Sequence, residues 1–376
     1  MRTKVVLKTF SAKARPVMST FIRSSWQTYA MCYLQGIILL SKFRSISEIA
    51  RRVAGEQIDI MHHFLCHSPW QETAVWAAHQ QQVAHRASQQ AKPVLIIDDT
   101  ATPREGSRIE GQGVHHSADG LVRGVCAVTA VVKLGSLVLS WCVTGYRPKN
   151  SCAPQEFKSK IELALDIVEG ARILGSSVTV LFDAWYACKR VLNTIAGQGW
   201  RYVAAIKTNR VILVNGRKTL VRHLAKGPRR YVTVQVSKKR TFRAAKAIVQ
   251  LPGVGQVALF ITKTTTGGLF LISNDLELSP TQAVKLYAQR FTIETFHRDM
   301  KQYLGLGELW MRSWRGSQRH WLFCAVAYNS LQFWNMAQPR YRRKAAFGQI
   351  VRYVRETVSV ADACHERNHQ MLNLAA

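Results

Sequence analysis

Acids at three places in this sequence stand where carboxylates are costly or conspicuous. Val94-Leu95-Ile96-Ile97 reads as a short strand buried on both faces, and it runs straight into Asp98 and Asp99. Val178 to Phe182 repeats the theme and ends in Asp183. An acid at the end of a buried strand is costly unless it is solvated, paired or bound to metal. The third place is Glu294, in a segment that reads as one helix from Ser279 to Gly305. Ser279, Pro280 and Gln282 fit its start, and Gly305 fits its stop. At about 100° per residue, Tyr287, Arg290, Glu294 and Lys301 share a narrow arc, and Leu286, Ile293, Phe296 and Met300 form a separate apolar stripe. Taken singly, each acid has a plain reading: a turn cap before Thr100, a helix N-cap at Asp183, a solvated Arg–Glu pair one turn apart. Taken together, they are hard oxygen donors of the kind that hold magnesium for phosphoryl transfer.

The spacing of the helix set, with two, three and six residues between Tyr287, Arg290, Glu294 and Lys301, resembles the Y-R-E-K signature of insertion-sequence transposases in the DDE superfamily. Asp183-Ala184-Trp185-Tyr186 is similar to their second-Asp motif. Asp98 and Asp99 point to opposite faces of a strand, so only one can join a shared site. The family pattern has its first Asp directly before Thr, which selects Asp99. The resemblance implies catalytic, metal-holding carboxylates at Asp99, Asp183 and Glu294, with Arg290 and Lys301 on phosphate and Tyr287 positioning it. It implies an α/β fold: an RNase H-like mixed sheet flanked by helices, interrupted by a β-rich insertion and preceded by an all-helical domain. The activity implied is cutting at element ends and joining 3′-hydroxyl ends to target DNA. The cofactor implied is magnesium, as two ions, with manganese as a substitute. The partners are double-stranded DNA (terminal inverted repeats and target) and a second copy of the chain in a synaptic complex. The rival readings are a nuclease of the same fold that does not join, and a DNA-binding repressor without catalysis.

Composition supports a polyanionic partner. The 376 residues carry 52 Lys and Arg against 22 Asp and Glu, a formal net charge of +30. Eight scattered cysteines without a CxxC fit reduced thiols in a cytoplasmic protein, and the resemblance implies a bacterial, nucleoid-associated one. No run of 18 uncharged apolar residues speaks for a membrane span.

The elements that must position the acids follow in order. Residues 1–88 read as helical, with Ser45-Ile46-Ser47-Glu48 opening a short helix, Gly55 breaking it and a second helix from Ile58 to Cys66. The pair suits either a helix-turn-helix or an ordinary hairpin, and nearby basic residues, Arg44, Arg51 and Arg52 among them, favour DNA contact. Residues 89–207 read as the first part of the catalytic core, with Pro103 to Gly120 a polar loop in which His115 and His116 lack ligand spacing. Pro154 to Leu174 reads as a helix, and Ala184-Trp185-Tyr186 leads into another that runs through Ile195. Between Asp183 and Asp275 there is no acid, while 17 positions are Lys or Arg. Within that stretch, residues 208–275 read as a basic β-rich insertion whose Lys238, Lys239 and Arg240 suit a phosphate backbone. Residues 276–338 complete the core, and 339–376 form a basic helical tail.

Overall fold

A computed structural model describes residues 2–55, 57–89, 92–106, 108–117, 120–224, 229–238, 240–264, 267–339 and 345–359. Five helices come first: α1 (Arg2–Met18), α2 (Ser24–Leu39), α3 (Ile46–Val53), α4 (Ile58–Cys66) and α5 (Glu72–Ser88). There follow β1 (Val94–Pro103), β2 (Gly113–Ser117), β3 (Gly120–Leu134), β4 (Leu137–Tyr146), α6 (Lys160–Gly170), β5 (Thr179–Phe182), α7 (Lys189–Gly197) and β6 (Arg201–Ala205). The acid-free stretch supplies β7 (Val211–Val214), β8 (Arg217–Leu220), α8 (Val221–Leu224), β9 (Val232–Ser237), β10 (Arg240–Leu251), β11 (Gly255–Lys263) and β12 (Phe270–Ser273). The chain closes with α9 (Pro280–Ala288), α10 (Phe291–Leu304), α11 (Trp314–Met336) and α12 (Phe347–Thr357).

The centre of the sheet runs β4-β3-β1-β5-β6, antiparallel among the first three strands and parallel across the last three. β12 pairs antiparallel with β6, and β11, β10, β7 and β8 continue outward from it. The insertion therefore extends the central sheet. Alternation divides the core into two layers. Ile96 and Leu181 face one side, packed with Ile293, Phe296 and Met300 of α10 and with Phe323 of α11. Leu95, Ile97, Val180 and Phe182 face the other, against Leu163 and Val168 of α6 and Val191 and Ile195 of α7.

Local chemistry explains the helix ends. Ser45, Ser159, Ser279 and Ser313 each accept a backbone N–H of the following helix, and at Ser159 and Ser279 the N3 residue returns the bond. Gly305 closes α10 at φ 69°, a conformation that disfavours a side chain. α11 is buried on nearly every face, as an apolar helix between layers must be.

Several expectations change. The strand carrying Asp98 and Asp99 continues to Pro103, because β3 pairs with it throughout. The polar loop holds β2, which pairs with the start of β3; His115 is buried there and His116 exposed. The helix expected over Pro154 to Leu174 is α6 flanked by short 3-10 turns, and the one after Asp183 begins only at Lys189. The Ser279–Gly305 helix is broken. Gln289, Arg290, Thr292 and Ile293 donate to carbonyls three residues back, a tighter winding that separates α9 from α10. Arg44 is buried: its guanidinium satisfies the carbonyls of Ile37, Ser41 and Tyr303 and pairs with Glu308. Arg51 and Arg52 are exposed but both pair with Glu48. In the tail, α12 buries Phe347, Ile350, Val351 and Val354, and residues 360–376 lie outside the described residues.

Arg319 of α11 ties the N-terminal helices to this core. Its buried guanidinium donates to the carbonyls of Phe64, Leu65, Ser68 and Trp70, bonds Glu72 at 2.6 Å and lies 3.8 Å over the Trp70 ring. Arg319→Met leaves those acceptors without their donor and should lower the unfolding free energy by about 3 kcal/mol or more, read from urea unfolding. A loss below about 0.5 kcal/mol would show that Arg319 contributes little to the join.

Candidate active site

The sheet decides which aspartates meet. β1 and β5 pair in parallel as Val94↔Thr179, Leu95↔Val180 and Ile96↔Leu181. Continued two residues, this register sets Asp98 beside Asp183, both on the face that Ile96 and Leu181 present to α10. Asp99 has the parity of Leu95 and Ile97 and so faces α6. There its Oδ2 accepts from Lys160 Nζ at 2.6 Å and its Oδ1 from the Tyr186 hydroxyl at 3.0 Å, with Cys126 Sγ at 3.6 Å. The carboxylate on the Asp183 face is thus Asp98, while Asp99, the residue that the family pattern selects, lies on the α6 side.

Glu294 sits in the first turn of α10, exposed, and its Oε1 accepts from Arg290 Nη1 at 3.1 Å. The same Nη1 reaches Asp98 Oδ2 at 3.2 Å. Arg290 therefore stands between two of the acids, placed there by the tight turn that ends α9. Tyr287, at the end of α9, hydrogen-bonds Arg290; burial pushes its phenol up to about 12, with Asp183 and Asp98 adding to the rise. Lys301 donates to the Ala101 carbonyl at 2.8 Å, and burial lowers its affinity for a proton. Two members of the Y-R-E-K face thus reach β1, Arg290 at Asp98 and Lys301 at Ala101.

Charge is unbalanced at Asp98. Burial pushes its carboxyl up to about 7; Arg290 opposes the rise, while the charges of Asp183 and Asp99 add to it. Asp183 Oδ1 accepts the backbone N–H groups of Trp185 at 2.9 Å and Tyr186 at 3.4 Å, so the N-cap-like reading of this residue is present in its turn. The sequence reading missed two supporting residues. Thr129, opposite Asp98 on β3, bonds the Asp98 carbonyl at 3.2 Å and His297 Nε2 at 2.7 Å. Burial holds His297 down to about 3, so it stays neutral.

The insertion reaches the same place. A cleft of about 420 Å³ is lined by Arg240 and Phe242 of β10 and by Tyr287, Arg290, Phe291 and Glu294. Arg240 is exposed and lies over the Phe242 ring at 5.9 Å. Lys238 is exposed and outside that lining, and Lys239 lies outside the described residues.

Residues 89–330, more than half of the chain, match the family model of the transposase DDE domain. The chain belongs to that family. No curated protein matches it. Transposases of this family act on DNA and generally use divalent metal. No helix among the described residues is long and apolar enough to cross a membrane.

The residues present suit a divalent cation in part. Asp98 and Asp183 offer adjacent hard oxygen donors, and burial, with the charges of Asp183 and Asp99, raises the proton affinity of Asp98. Among the described residues, no three Asp, Glu, His or Cys side chains lie close enough to share one ion. Glu294 joins the pair only if it leaves Arg290.

Asp98→Asn tests this imbalance without catalysis. The carboxyl titrates near 7 in the fold against 3.8 ordinarily, so the folded state holds a proton that the unfolded chain lacks between about pH 4 and 7. The cost in stability therefore grows between about pH 4 and 7, is fully present above 7, and is absent below about 4. In chelator, Asp98→Asn should be more stable than wild type at pH 8, by up to about 4 kcal/mol, with the gain fading by pH 4. A gain that is absent at pH 8, or equal at both pH values, contradicts the assignment.

Proposed function

We propose that this transposase cuts DNA at the ends of an insertion sequence and joins the freed 3′-hydroxyl ends to target DNA, with Asp98, Asp183 and Glu294 as its catalytic carboxylates. The observation that supports the reading is the β1–β5 register, which, continued two residues beyond Ile96↔Leu181, sets Asp98 beside Asp183 on the face toward the helix that bears Glu294. Asp98 and Asp183 would hold magnesium or manganese, with Glu294 completing the set as Arg290 turns to the DNA. Two such ions, when bound, would activate the attacking oxygen and stabilise the leaving one in an in-line displacement. Arg290 and Lys301 grip phosphate beside the scissile bond, and Tyr287 holds Arg290 at the required angle. Arg240 lines the cleft on the side of the insertion and, with Lys238, takes the flanking phosphate backbone. Terminal inverted repeats and target DNA are the substrates, and a homodimer that pairs two ends is the working assembly.

The direct test is incubation of the full chain with end-bearing DNA and magnesium. Cleaved and joined products are both expected, and both should vanish in chelator. Asp98→Asn, Asp183→Asn and Glu294→Gln should each reduce the products by roughly a hundredfold or more, while DNA binding in chelator stays near wild type. Cleavage without joining would make the protein a nuclease. Binding without either product would make it a DNA-binding protein. Near-normal cleavage by Asp98→Asn would remove that residue from the site.

A further inference from the structure

The β1–β5 ladder pairs residues only as far as Ile96↔Leu181, and β5 ends at Phe182. Asp98 and Asp183 lie just beyond those rungs, and two like charges side by side repel. On the opposite face of the sheet, at the same level, a buried linkage crosses from one strand to the turn after the other. The Tyr186 hydroxyl donates to Asp99 Oδ1 at 3.0 Å, and Lys160 Nζ fixes Asp99 Oδ2 at 2.6 Å. Tyr186 is fully buried, and its own backbone N–H points at Asp183 Oδ1, 3.4 Å away. Asp99 follows Asp98 directly, and Tyr186 lies three residues after Asp183.

We propose that Asp99 and Tyr186 are positioning residues: their hydrogen bond, braced by Lys160, ties the Asp98 backbone to the Asp183 turn and sets the spacing of the two carboxylates, and so the affinity of the site for a divalent cation. The pair touches neither substrate nor ion. It acts through the backbone, as groups that orient metal ligands from behind commonly do, and loss of such a group typically lowers metal affinity by about 10- to 100-fold. Lys160 comes from the start of α6, so that helix shares in holding the spacing. The inference rests on the reading of Asp98 and Asp183 as ligands.

Tyr186→Phe is the informative variant, since it removes one hydroxyl and keeps the ring that fills the core; Asp99→Asn strands the buried Lys160 charge and is open to misfolding. Manganese binding to the full chain is followed by the paramagnetic resonance of free Mn²⁺, with Asp98→Asn as the reference. Tyr186→Phe should bind Mn²⁺ about tenfold more weakly. Its cleavage of end-bearing DNA should half-saturate at correspondingly higher Mn²⁺ and regain most of the wild-type rate at saturation. In chelator, its melting temperature and DNA affinity should stay close to wild type. Unchanged Mn²⁺ affinity in Tyr186→Phe, while Asp98→Asn has lost the site, overturns the positioning role alone. So does a weaker site matched by an equal loss of stability in chelator, which marks a purely structural contact. Wild-type Mn²⁺ affinity in Asp98→Asn overturns the ligand reading, and the positioning role with it.

Discussion

The site depends on one constraint, the parallel register of β1 against β5. In a parallel pair, residues at the same level point to the same face, and the register from Val94↔Thr179 to Ile96↔Leu181 carries that equivalence to Asp98 and Asp183. A shift of either strand by one residue would turn its acid into the opposite layer. The register is held by burial on both sides, with Ile96 and Leu181 in one layer and Leu95, Ile97, Val180 and Phe182 in the other. The apolar runs that make the strands are therefore also what aims the carboxylates.

Against this fixed pair stands a group with two partners. Arg290 reaches both Asp98 and Glu294, and it does so from the tight turn between α9 and α10. Its charge offsets part of the repulsion among the acids, which burial makes expensive. Tyr287 and the lining of the cleft place this arginine where α9 and the insertion strands meet.

Much of this was legible in the sequence because it rests on local rules. The buried strands, the serine caps, the Gly305 stop and the apolar stripe of Ile293, Phe296 and Met300 follow from hydrophobic periodicity and capping chemistry. The choice between Asp98 and Asp99 was not legible from alternation, which separates the two residues without saying which faces α10. A usable signal was present: in each strand the first acid directly follows the apolar run, at Asp98 and at Asp183. The broken helix had no Gly or Pro to announce it. Arg44 read as surface charge because composition counts charges without locating them; it is buried by the unpaired carbonyls at the end of α2 that it satisfies. β2 was hidden by its two histidines, and only pairing with β3 makes it a strand.

The most direct measurement is a crystal structure of the full chain soaked with Mn²⁺ and recorded at the manganese absorption edge. The account requires an anomalous peak at the carboxylates of Asp98 and Asp183, on the side facing α10, with Asp99 still bonded to Lys160 and Tyr186. A peak on Asp99, on the side facing α6, would contradict it.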